Sequence, residues 1–490
     1  MDIKTFNNNR MPISYPGLLA LGGLSLIPSI CFSQVAKDNR PNIIFILTDD
    51  QRWDALGYAG NEIIITPHMD KLAKDGVYFS NAFATTPISA ASRASILTGL
   101  YERTHGYTFQ KGKLKQPYVD ISYPVLFKNN GYHTGFFGKL DVIIDNASDL
   151  FTEADFYDRN NQYKDHRGYF YKTINKDTVH LTEYTGYQAR NFIQNAPKNK
   201  PFCLSICFSA PHAHDNSKEQ YFWQDKSNKR YENIDIPEPK ISSDSIFEKL
   251  SFEVKNGFNR LRWKWRFDTP EKYQNSVKGY YRMISEIDDE IGKIRQLLKE
   301  NNLADNTIII MMGDNGYFLG ERQLAGKWLM YDLSIKIPLI IFDPRTNKSY
   351  DIDDMVTNID IPMTMLSLAS IPYPSNYQGI DLTPYIQLGY NKHKRESLLI
   401  EHLWEKPEIP SSEGIRSENW KYIRYRFIDA KEELYNLKED PDEINNLAQD
   451  SKYNALLNNF RNDLKYKTQK YYNEKVVSDF TLPHEINPGF

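Results

Sequence analysis

Residues 42–50 read Asn-Ile-Ile-Phe-Ile-Leu-Thr-Asp-Asp, and they predict the central element of the fold. The run from Asn42 to Thr48 is almost continuously apolar and rich in β-branched residues, which is typical of a strand buried on both faces of a parallel sheet. Two carboxylates, Asp49 and Asp50, follow it directly. The sequence therefore predicts a central strand that ends in charged side chains.

Similar apolar runs recur along the chain and alternate with segments of helical periodicity. The predicted strands are 202–209, 307–312 and 337–342, and the predicted helices are 92–100 and 276–300. Strands that alternate with helices indicate an α/β sheet covered by helices on both faces. Ligands bind such sheets at the carboxyl ends of the strands, so functional residues are expected at that edge.

The pattern divides the chain into a large domain, residues 40–384, and a smaller C-terminal subdomain, residues 385–490. Short alternating runs at 397–404, 420–427 and 433–437 predict a small antiparallel sheet in the subdomain, and 454–472 predicts a closing helix. At about 216–270 the large domain becomes polar, with a basic aromatic segment at 260–266. Residues 216–270 fit a substrate-facing insertion and, equally, a solvated amphipathic helix that packs its Trp residues inward.

Composition excludes some classes of function. The 490 residues carry 60 basic and 63 acidic side chains, so the overall charge does not indicate binding to nucleic acid or to an anionic membrane.

The two cysteines Cys203 and Cys207 lie four residues apart in one predicted strand, about 13 Å from each other, beyond disulfide reach. They are expected to be buried thiols.

Residues 1–33 have the pattern of a secretory signal, with basic residues before an apolar stretch. We expect cleavage near Gln34 and an exported protein without a membrane span. Lipidation at Cys31 is the disfavoured alternative, because a lipoprotein signal requires a small residue where this chain has Ile30.

The densest motif is Ser89-Ala90-Ala91-Ser92-Arg93, followed by Thr98-Gly99. It resembles the signature of sulfatases, in which a Cys or Ser is oxidised to formylglycine (3-oxoalanine), and Ser89 stands at the oxidised position. The resemblance covers essentially the whole chain after the signal segment. It implies an alkaline-phosphatase-like α/β fold, in which a large mixed sheet is sandwiched by helices and joined to a smaller C-terminal antiparallel sheet.

The chemistry accounts for the motif. A hydrated aldehyde offers one hydroxyl that attacks sulfur and a second whose deprotonation expels sulfate, which an unmodified serine cannot do. A position at a helix start also favours an anionic sulfate, and Arg93 would steady the modified side chain.

Four oxygen-bearing side chains at two strand ends predict a metal site. Asp49 and Asp50 follow the first strand, and Asp314 and Asn315 follow strand 307–312. Oxygen ligands favour a hard cation, with Ca²⁺ preferred here over Mg²⁺. The positions match the metal site of the sulfatase family, which also includes the oxygen of residue 89. The ion would polarise sulfur as a Lewis acid, and Asp314 would accept the proton of the nucleophile.

The resemblance assigns three further side chains to the sulfate ester. Lys139 and Lys327, each preceded by glycine, would neutralise the sulfate, and His212 would protonate the leaving sugar oxygen. Where many sulfatases have Gly-Lys-x-His, this chain has Asp141 in place of the histidine credited with releasing sulfate. Asp141 either replaces that base or caps a helix.

The implied substrate is a sulfated glycan, with sulfated galactose or N-acetylhexosamine of mucin or glycosaminoglycan expected first. The Ser-type signature implies a bacterial periplasm and a radical maturation enzyme that oxidises Ser89, with an outer-membrane lipid anchor as the alternative location. Candidate contacts to sugar hydroxyls are Asp141, His214, Asp215, Arg260, His402, Trp404, Glu405 and Arg416. Two alternatives stay open: a phosphatase or phosphonate hydrolase of the same superfamily, and an inactive glycan-binding relative.

Overall fold

The strand predicted at 42–48 lies at the centre of a large mixed sheet. All seven of its residues are buried. It pairs in parallel on one side with Phe202–Cys207, where Ile44 lies opposite Leu204, and on the other with Thr307–Gly313, where Ile44 lies opposite Ile309. Both faces of the strand are thus covered and both of its edges are paired, as its apolar run predicts.

The structure is a computed structural model that describes residues 38–109, 112–160, 162, 168–215, 217–426 and 431–474. The predicted signal segment, residues 1–33, lies outside the described residues. The strands of the described part are β1 Asn42–Thr48, β2 Val77–Phe79, β3 Ala82–Phe83, β4 His133–Gly138, β5 Glu153–Phe156, β6 Lys172–Ile174, β7 Asp177–Val179, β8 Phe202–Cys207, β9 Thr307–Gly313, β10 Phe318–Leu319, β11 Ala325–Gly326, β12 Lys336–Ile337, β13 Leu339–Phe342, β14 Tyr350–Ile352, β15 Val356–Thr357, β16 Ser397–His402, β17 Ser412–Ser417, β18 Trp420–Tyr425 and β19 Glu432–Asn436. The helices of that part are α1 Pro67–Asp75, α2 Ser89–Thr98, α3 Glu102–His105, α4 Gln116–Asp120, α5 Tyr123–Asn129, α6 Leu181–Asn195, α7 Asp244–Phe247, α8 Phe252–Lys255, α9 Phe258–Arg266, α10 Pro270–Glu300, α11 Asp332–Ile335, α12 Asp360–Leu368, α13 Thr383–Leu388 and α14 Asn454–Asn473.

The large sheet has the strand order β14-β2-β13-β9-β1-β8-β4-β5. Strands β9, β1, β8, β4 and β5 are parallel neighbours, whereas β13 runs antiparallel to both β9 and β2. Because the parallel strands all end at one edge, the residues that follow them meet there.

Helices cover both faces of this sheet. Along β1, Ile43, Phe45 and Leu47 belong to one apolar core together with residues of α2, α5 and α12. Ile44 and Ile46 belong to a second core together with residues of α1, α6 and α10. The predicted α/β class, a mixed sheet between two helical layers, is confirmed.

The C-terminal part carries the predicted antiparallel sheet, in the order β16-β17-β18-β19, with α14 packed on it. The sequence missed β17, since Ser-Glu-Gly-Ile-Arg-Ser at 412–417 lacks an apolar run. A backbone hydrogen bond of 2.9 Å from Glu401 N–H to the Thr85 carbonyl joins this sheet to the segment before α2. The described residues from Asp38 onward form one compact unit, and the boundary at residue 384 stays a prediction.

Two smaller expectations concern the cysteines and the membrane. Cys203 and Cys207 are buried free thiols, as predicted. Among the described residues, no helix combines the length and the apolar character needed to cross a bilayer.

Candidate active site

Backbone hydrogen bonds join the strand ends at the carboxyl edge of the sheet. Asp314 N–H donates to the Thr48 carbonyl at 3.0 Å, and Asp49 N–H donates to the Ala210 carbonyl at 3.1 Å. Lys139 N–H donates to the Cys207 carbonyl at 2.9 Å. Residues that are far apart in the chain are therefore held at fixed positions around the end of β1.

Ser89 is the first residue of α2, and its hydroxyl lies in the middle of this edge. Its Oγ is 2.9 Å from Asp49 Oδ1, 3.3 Å from Asn315 Oδ1 and 2.6 Å from Lys327 Nζ. All ten residues of α2 are buried. The predicted nucleophile position thus lies against predicted metal ligands and one of the predicted sulfate lysines.

The acidic side chains fit a hard cation. Ligand atoms of Asp49, Asp50 and His212 all lie within 4.8 Å of one another. Asp50 Oδ2 is buried and has no hydrogen-bond partner among the described residues, which is costly unless a cation or a ligand satisfies it. Asn315 donates through Nδ2 to Asp50 Oδ1 at 2.7 Å, which leaves its Oδ1 facing Ser89.

Asp314 lies beside this cluster, but both of its carboxylate oxygens accept hydrogen bonds. Oδ1 accepts from Asp50 N–H at 3.1 Å, and Oδ2 accepts from Arg93 Nε at 3.0 Å. Arg93 also donates through Nη1 to the Lys139 carbonyl at 2.5 Å. Arg93 thus donates to Asp314 and to the backbone of Lys139, and its predicted contact with residue 89 stays a prediction.

Both active-site lysines follow a glycine with a left-handed backbone. Gly138 has φ 110°, and a Cβ there would lie 2.0 Å from the Cys207 carbonyl oxygen; Gly326 has φ 95°. These positions exclude other residues and turn the next side chain into the site. Lys139 Nζ lies 2.5 Å from Asp49 Oδ2, and Lys327 Nζ lies 2.5 Å from Asp50 Oδ1.

The charges in this cluster shift the pKa values of its carboxyl groups in opposite directions. Burial by itself raises the pKa of Asp49, but Lys139, His212 and Lys327 outweigh it and hold that pKa well below its usual range. Burial and the neighbouring charge of Asp49 raise the pKa of Asp314 to about 6. Asp314 is thus the more basic of the two, which suits its predicted role as proton acceptor.

His212 is buried and oriented by a backbone acceptor. Its Nδ1 lies 2.6 Å from the Ala213 carbonyl oxygen, so Nδ1 carries the proton, and Nε2 lies 3.5 Å from Asp50 Oδ2. Burial and the charge on Arg159 lower the pKa of His212 well below its usual value. A neutral ring with an unprotonated Nε2 suits a ligand or a base, so the predicted proton donation to the sugar stays a prediction.

A cavity of about 440 Å³ opens from Ser89 between two unlike walls. One wall is polar and consists of Asp141, Asp158, Arg159, His212, His214 and Asp215. The other is aromatic and consists of Phe109, Phe258, Trp328 and Trp404. A lining that combines polar and aromatic side chains suits a sugar ring, which presents hydroxyls at its rim and C–H groups on its faces.

Four of the residues predicted to contact sugar line this cavity: Asp141, His214, Asp215 and Trp404. Asp141 is itself in the left-handed region, with φ 56°, and its carboxylate lies 3.4 Å from Lys139 Nζ. Asp215 is bound by the guanidinium groups of Arg262 and Arg266. It therefore also orients two arginines.

The other predicted contacts lie outside the cavity lining. Arg260 donates to Gln323 and stacks on Trp263, because 200° of helical rotation separates it from Arg262 on α9. His402 is fully buried behind Trp404. Arg416 pairs with Asp332 at 3.2 Å in the C-terminal sheet.

Sequence reasoning missed several cavity residues. Asp158, 3.5 Å from Lys139 Nζ, and Arg159 follow β5, so they obey the same strand-end rule as Asp49. Their strand was missed because Glu153–Phe156 is polar and half-exposed. Arg262 lies within the basic aromatic segment, and only the direction of the helix distinguishes it from Arg260.

The predicted nucleophile position lies among carboxylates that could hold a cation and lysines that could bind an anion, at the end of a mixed α/β sheet. This arrangement suits a hydrolase of sulfate or phosphate esters. The sulfatase family profile matches residues 41–371, so this chain belongs to the sulfatase family and is a sulfuric ester hydrolase. A second profile, N-sulphoglucosamine sulphohydrolase, C-terminal, matches residues 320–470.

Relatives and solved structures cover nearly all of the chain. The N-acetylglucosamine-6-O-sulfatase of Bacteroides thetaiotaomicron is 28% identical over an alignment of 520 positions, gaps included, that covers 93% of this chain and 91% of that protein. The ulvan-active sulfatase of Formosa agariphila is 26% identical, covering 92% and 85%. A solved structure in complex with its substrate D-glucosamine-2-N,6-O-disulfate has a TM-score of 0.74 and 24% identity, covering 90% of this chain and 100% of that one. The phosphonate monoester hydrolase of Agrobacterium radiobacter has a TM-score of 0.72 at 20% identity, covering 88% and 96%. The two structural likenesses show the same fold.

Proposed function

We propose that this sulfatase is an exported carbohydrate sulfatase that uses a formylglycine made from Ser89 and a bound Ca²⁺ ion. The observation that carries the proposal is the position of Ser89 Oγ, within 3.3 Å of Asp49, Asn315 and Lys327 at a buried helix start. An unmodified serine in a binding protein would not need cation ligands around its hydroxyl. The cavity that opens from Ser89 supports a sugar as the leaving group.

The chain's own residues would divide the work between charge and position. The hydrated aldehyde would supply the nucleophile, and the cation, held by Asp49, Asp50, Asp314, Asn315 and the oxygen of residue 89, would polarise the ester. Lys139 and Lys327 would bind the sulfate oxygens, where a dry site makes their charge most effective. Arg93 would hold Asp314 and Lys139 in position relative to each other, since it donates hydrogen bonds to the Asp314 carboxylate and to the Lys139 carbonyl.

Asp141 is our proposed base for sulfate release. It lines the cavity, and its carboxylate lies 3.4 Å from Lys139 Nζ. Asp158 also flanks Lys139, but its backbone partner and the charges of Lys139 and Arg159 outweigh burial and lower its pKa. A carboxylate with a lowered pKa is a poorer proton acceptor, which counts against Asp158 as the base.

For the substrate, we propose a 6-O-sulfated N-acetylhexosamine or glucosamine from a glycosaminoglycan or mucin. The support is the 28% identical relative named for N-acetylglucosamine-6-O-sulfate and the neighbouring structure with a disulfated glucosamine. Host glycan origin, the periplasm and a radical maturation enzyme remain parts of the same proposal.

The decisive test is mass spectrometry of the Ser89 peptide from native-source protein, combined with assays on sulfated sugars. We expect the loss of two hydrogens at Ser89 and sulfate release from the 6-position. The Ser89→Ala variant should be inactive in every host. Near-native turnover by Ser89→Ala would exclude formylglycine catalysis.

A second candidate, hydrolysis of a phosphonate or phosphate ester, is supported by the phosphonate monoester hydrolase structures of the same fold. Matched sulfate and phosphate esters of one alcohol separate the two. A higher kcat/KM on the phosphorus ester would replace the sulfatase proposal.

A further inference from the structure

Lys406 is a cation of the cavity wall that lies apart from the sulfate lysines. It lines the cavity, and its Nζ is 4.7 Å from the ring centroid of Phe258 and 5.6 Å from that of Trp404. Within the described ranges, no carboxylate lies within 4.0 Å of its ammonium group. The other lysines and arginines of the lining each have such a partner, as Lys139 has with Asp49 and Lys327 with Asp50.

The turn that carries Lys406 is held firmly against the cavity. Ile409 N–H donates to the Lys406 carbonyl at 2.9 Å, and Phe258 N–H donates to the Glu408 carbonyl at 2.8 Å. Ile409 is buried and packs with Trp328 and Trp404. The backbone of Lys406 is thus fixed to the start of α9, and its ammonium group is displayed on an aromatic surface.

The neighbouring cation on this wall already has a carboxylate partner, which it shares with Arg266. Arg262 is bound to Asp215, and its guanidinium carbon lies 4.2 Å from the centroid of Trp328. Lys406 therefore differs from Arg262 in having no carboxylate within 4.0 Å among the described residues. A half-buried ammonium is less well hydrated than a surface one, so a ligand anion beside it gains more than it would in water.

We propose that Lys406 binds a second anionic group of the substrate, a sulfate or a carboxylate, while the reacting sulfate lies at Lys139 and Lys327. The inference rests on the proposed carbohydrate sulfatase function and deepens it. The preferred substrate is a glycan fragment that carries two anionic groups, one that is cleaved and one that is recognised. The second group lies either on the same ring as the reacting ester or on the adjoining ring, and both place a negative charge at the aromatic wall.

The test compares Lys406→Met with wild type on three probes: glucosamine 6-sulfate, glucosamine 2-N,6-O-disulfate, and a disaccharide that joins a uronate to glucosamine 6-sulfate. The full chain is used, with the oxidation of Ser89 verified by mass spectrometry. We expect wild type to prefer at least one doubly anionic probe, and Lys406→Met to lose about tenfold in kcat/KM on that probe alone. The probe that loses its advantage identifies the second anion as N-sulfate or uronate.

Two control variants separate a local contact from a general charge effect. Lys264→Met removes the same charge from the exposed side of α9 and should leave the preference intact. Lys406→Arg should retain most of it. Equal loss on all three probes, or no preference in wild type, would overturn the inference while the proposed function stands. Absence of sulfate release from every probe by the oxidised wild type would reject the proposed function, and the inference with it.

Discussion

Replacing Lys327 with methionine separates its proposed role in binding sulfate from any role in holding the metal ligands. Lys327 is 3% exposed, and its ammonium contacts Asp50 Oδ1 at 2.5 Å and Ser89 Oγ at 2.6 Å. Methionine fills a similar volume without the charge. We expect kcat to fall by about 10²–10³, the usual loss for one oxyanion-stabilising donor, which corresponds to about 2.7–4 kcal/mol.

The affinity of Lys327→Met for Ca²⁺, unlike its turnover, should not fall. The ammonium of Lys327 repels a divalent cation and occupies an oxygen of Asp50, whose other oxygen has no partner among the described residues. Its removal should leave Ca²⁺ binding as tight as in wild type or tighter. Calorimetry on chelated protein that retains Ser89 measures this affinity independently of turnover.

Lys421→Met is the matched control. Lys421 is also a buried lysine between two carboxylates, 2.5 Å from Asp332 and 2.6 Å from Glu443, but it lies in the C-terminal sheet. Its loss should lower the free energy of unfolding by about 3–5 kcal/mol and leave turnover per folded molecule unchanged. Wild-type turnover in Lys327→Met, or a clear loss of its Ca²⁺ affinity in a normally folded variant, would contradict the proposed role of Lys327 in binding sulfate.

Three further predictions concern the metal, a buried ion pair and pH. Exhaustive chelation should abolish activity and lower the melting temperature, and Ca²⁺ should restore both more effectively than Mg²⁺ does. Full activity without metal would contradict the assignment of the oxygen ligands. The Asp215→Asn variant leaves the buried guanidinium groups of Arg262 and Arg266 without their carboxylate. Urea denaturation should therefore show that the free energy of unfolding is lower by about 3 kcal/mol. An unchanged midpoint would show that these ion pairs contribute little to stability. Burial and the charge of Glu401 raise the pKa of Glu102 from 4.5 to about 8, so the folded state retains a proton that the unfolded chain releases. The free energy of unfolding should therefore fall between pH 4.5 and 8, by at most about 1.4 kcal/mol per pH unit from this group. The Glu102→Gln variant should show a smaller decline over this range. Parallel pH profiles for the two proteins would contradict this role of Glu102.

The sequence determined the elements whose signal is local. An apolar β-branched run followed by carboxylates predicts both the central strand β1 and the place of the site, because a buried strand has few alternatives and its end must carry polar groups. The motif at Ser89 and the two Gly-Lys pairs were equally readable, since each depends on a few adjacent residues. Asp158 and Arg159 escaped only because their strand is short and polar.

The tertiary structure decided what depends on direction and on contacts between distant segments. Arg260 and Arg262 look alike in the sequence, yet the 200° of helical rotation between them directs Arg260 toward Gln323 and Arg262 into the cavity. The sequence placed His402 and Trp404 together in the site, whereas strand alternation and the following turn bury the first and expose the second to the cavity. Lys406 could be identified only from the tertiary structure, in which its turn packs against the start of α9. Whether a charged group has a partner depends on all of its neighbours, and here these neighbours come from segments more than a hundred residues apart.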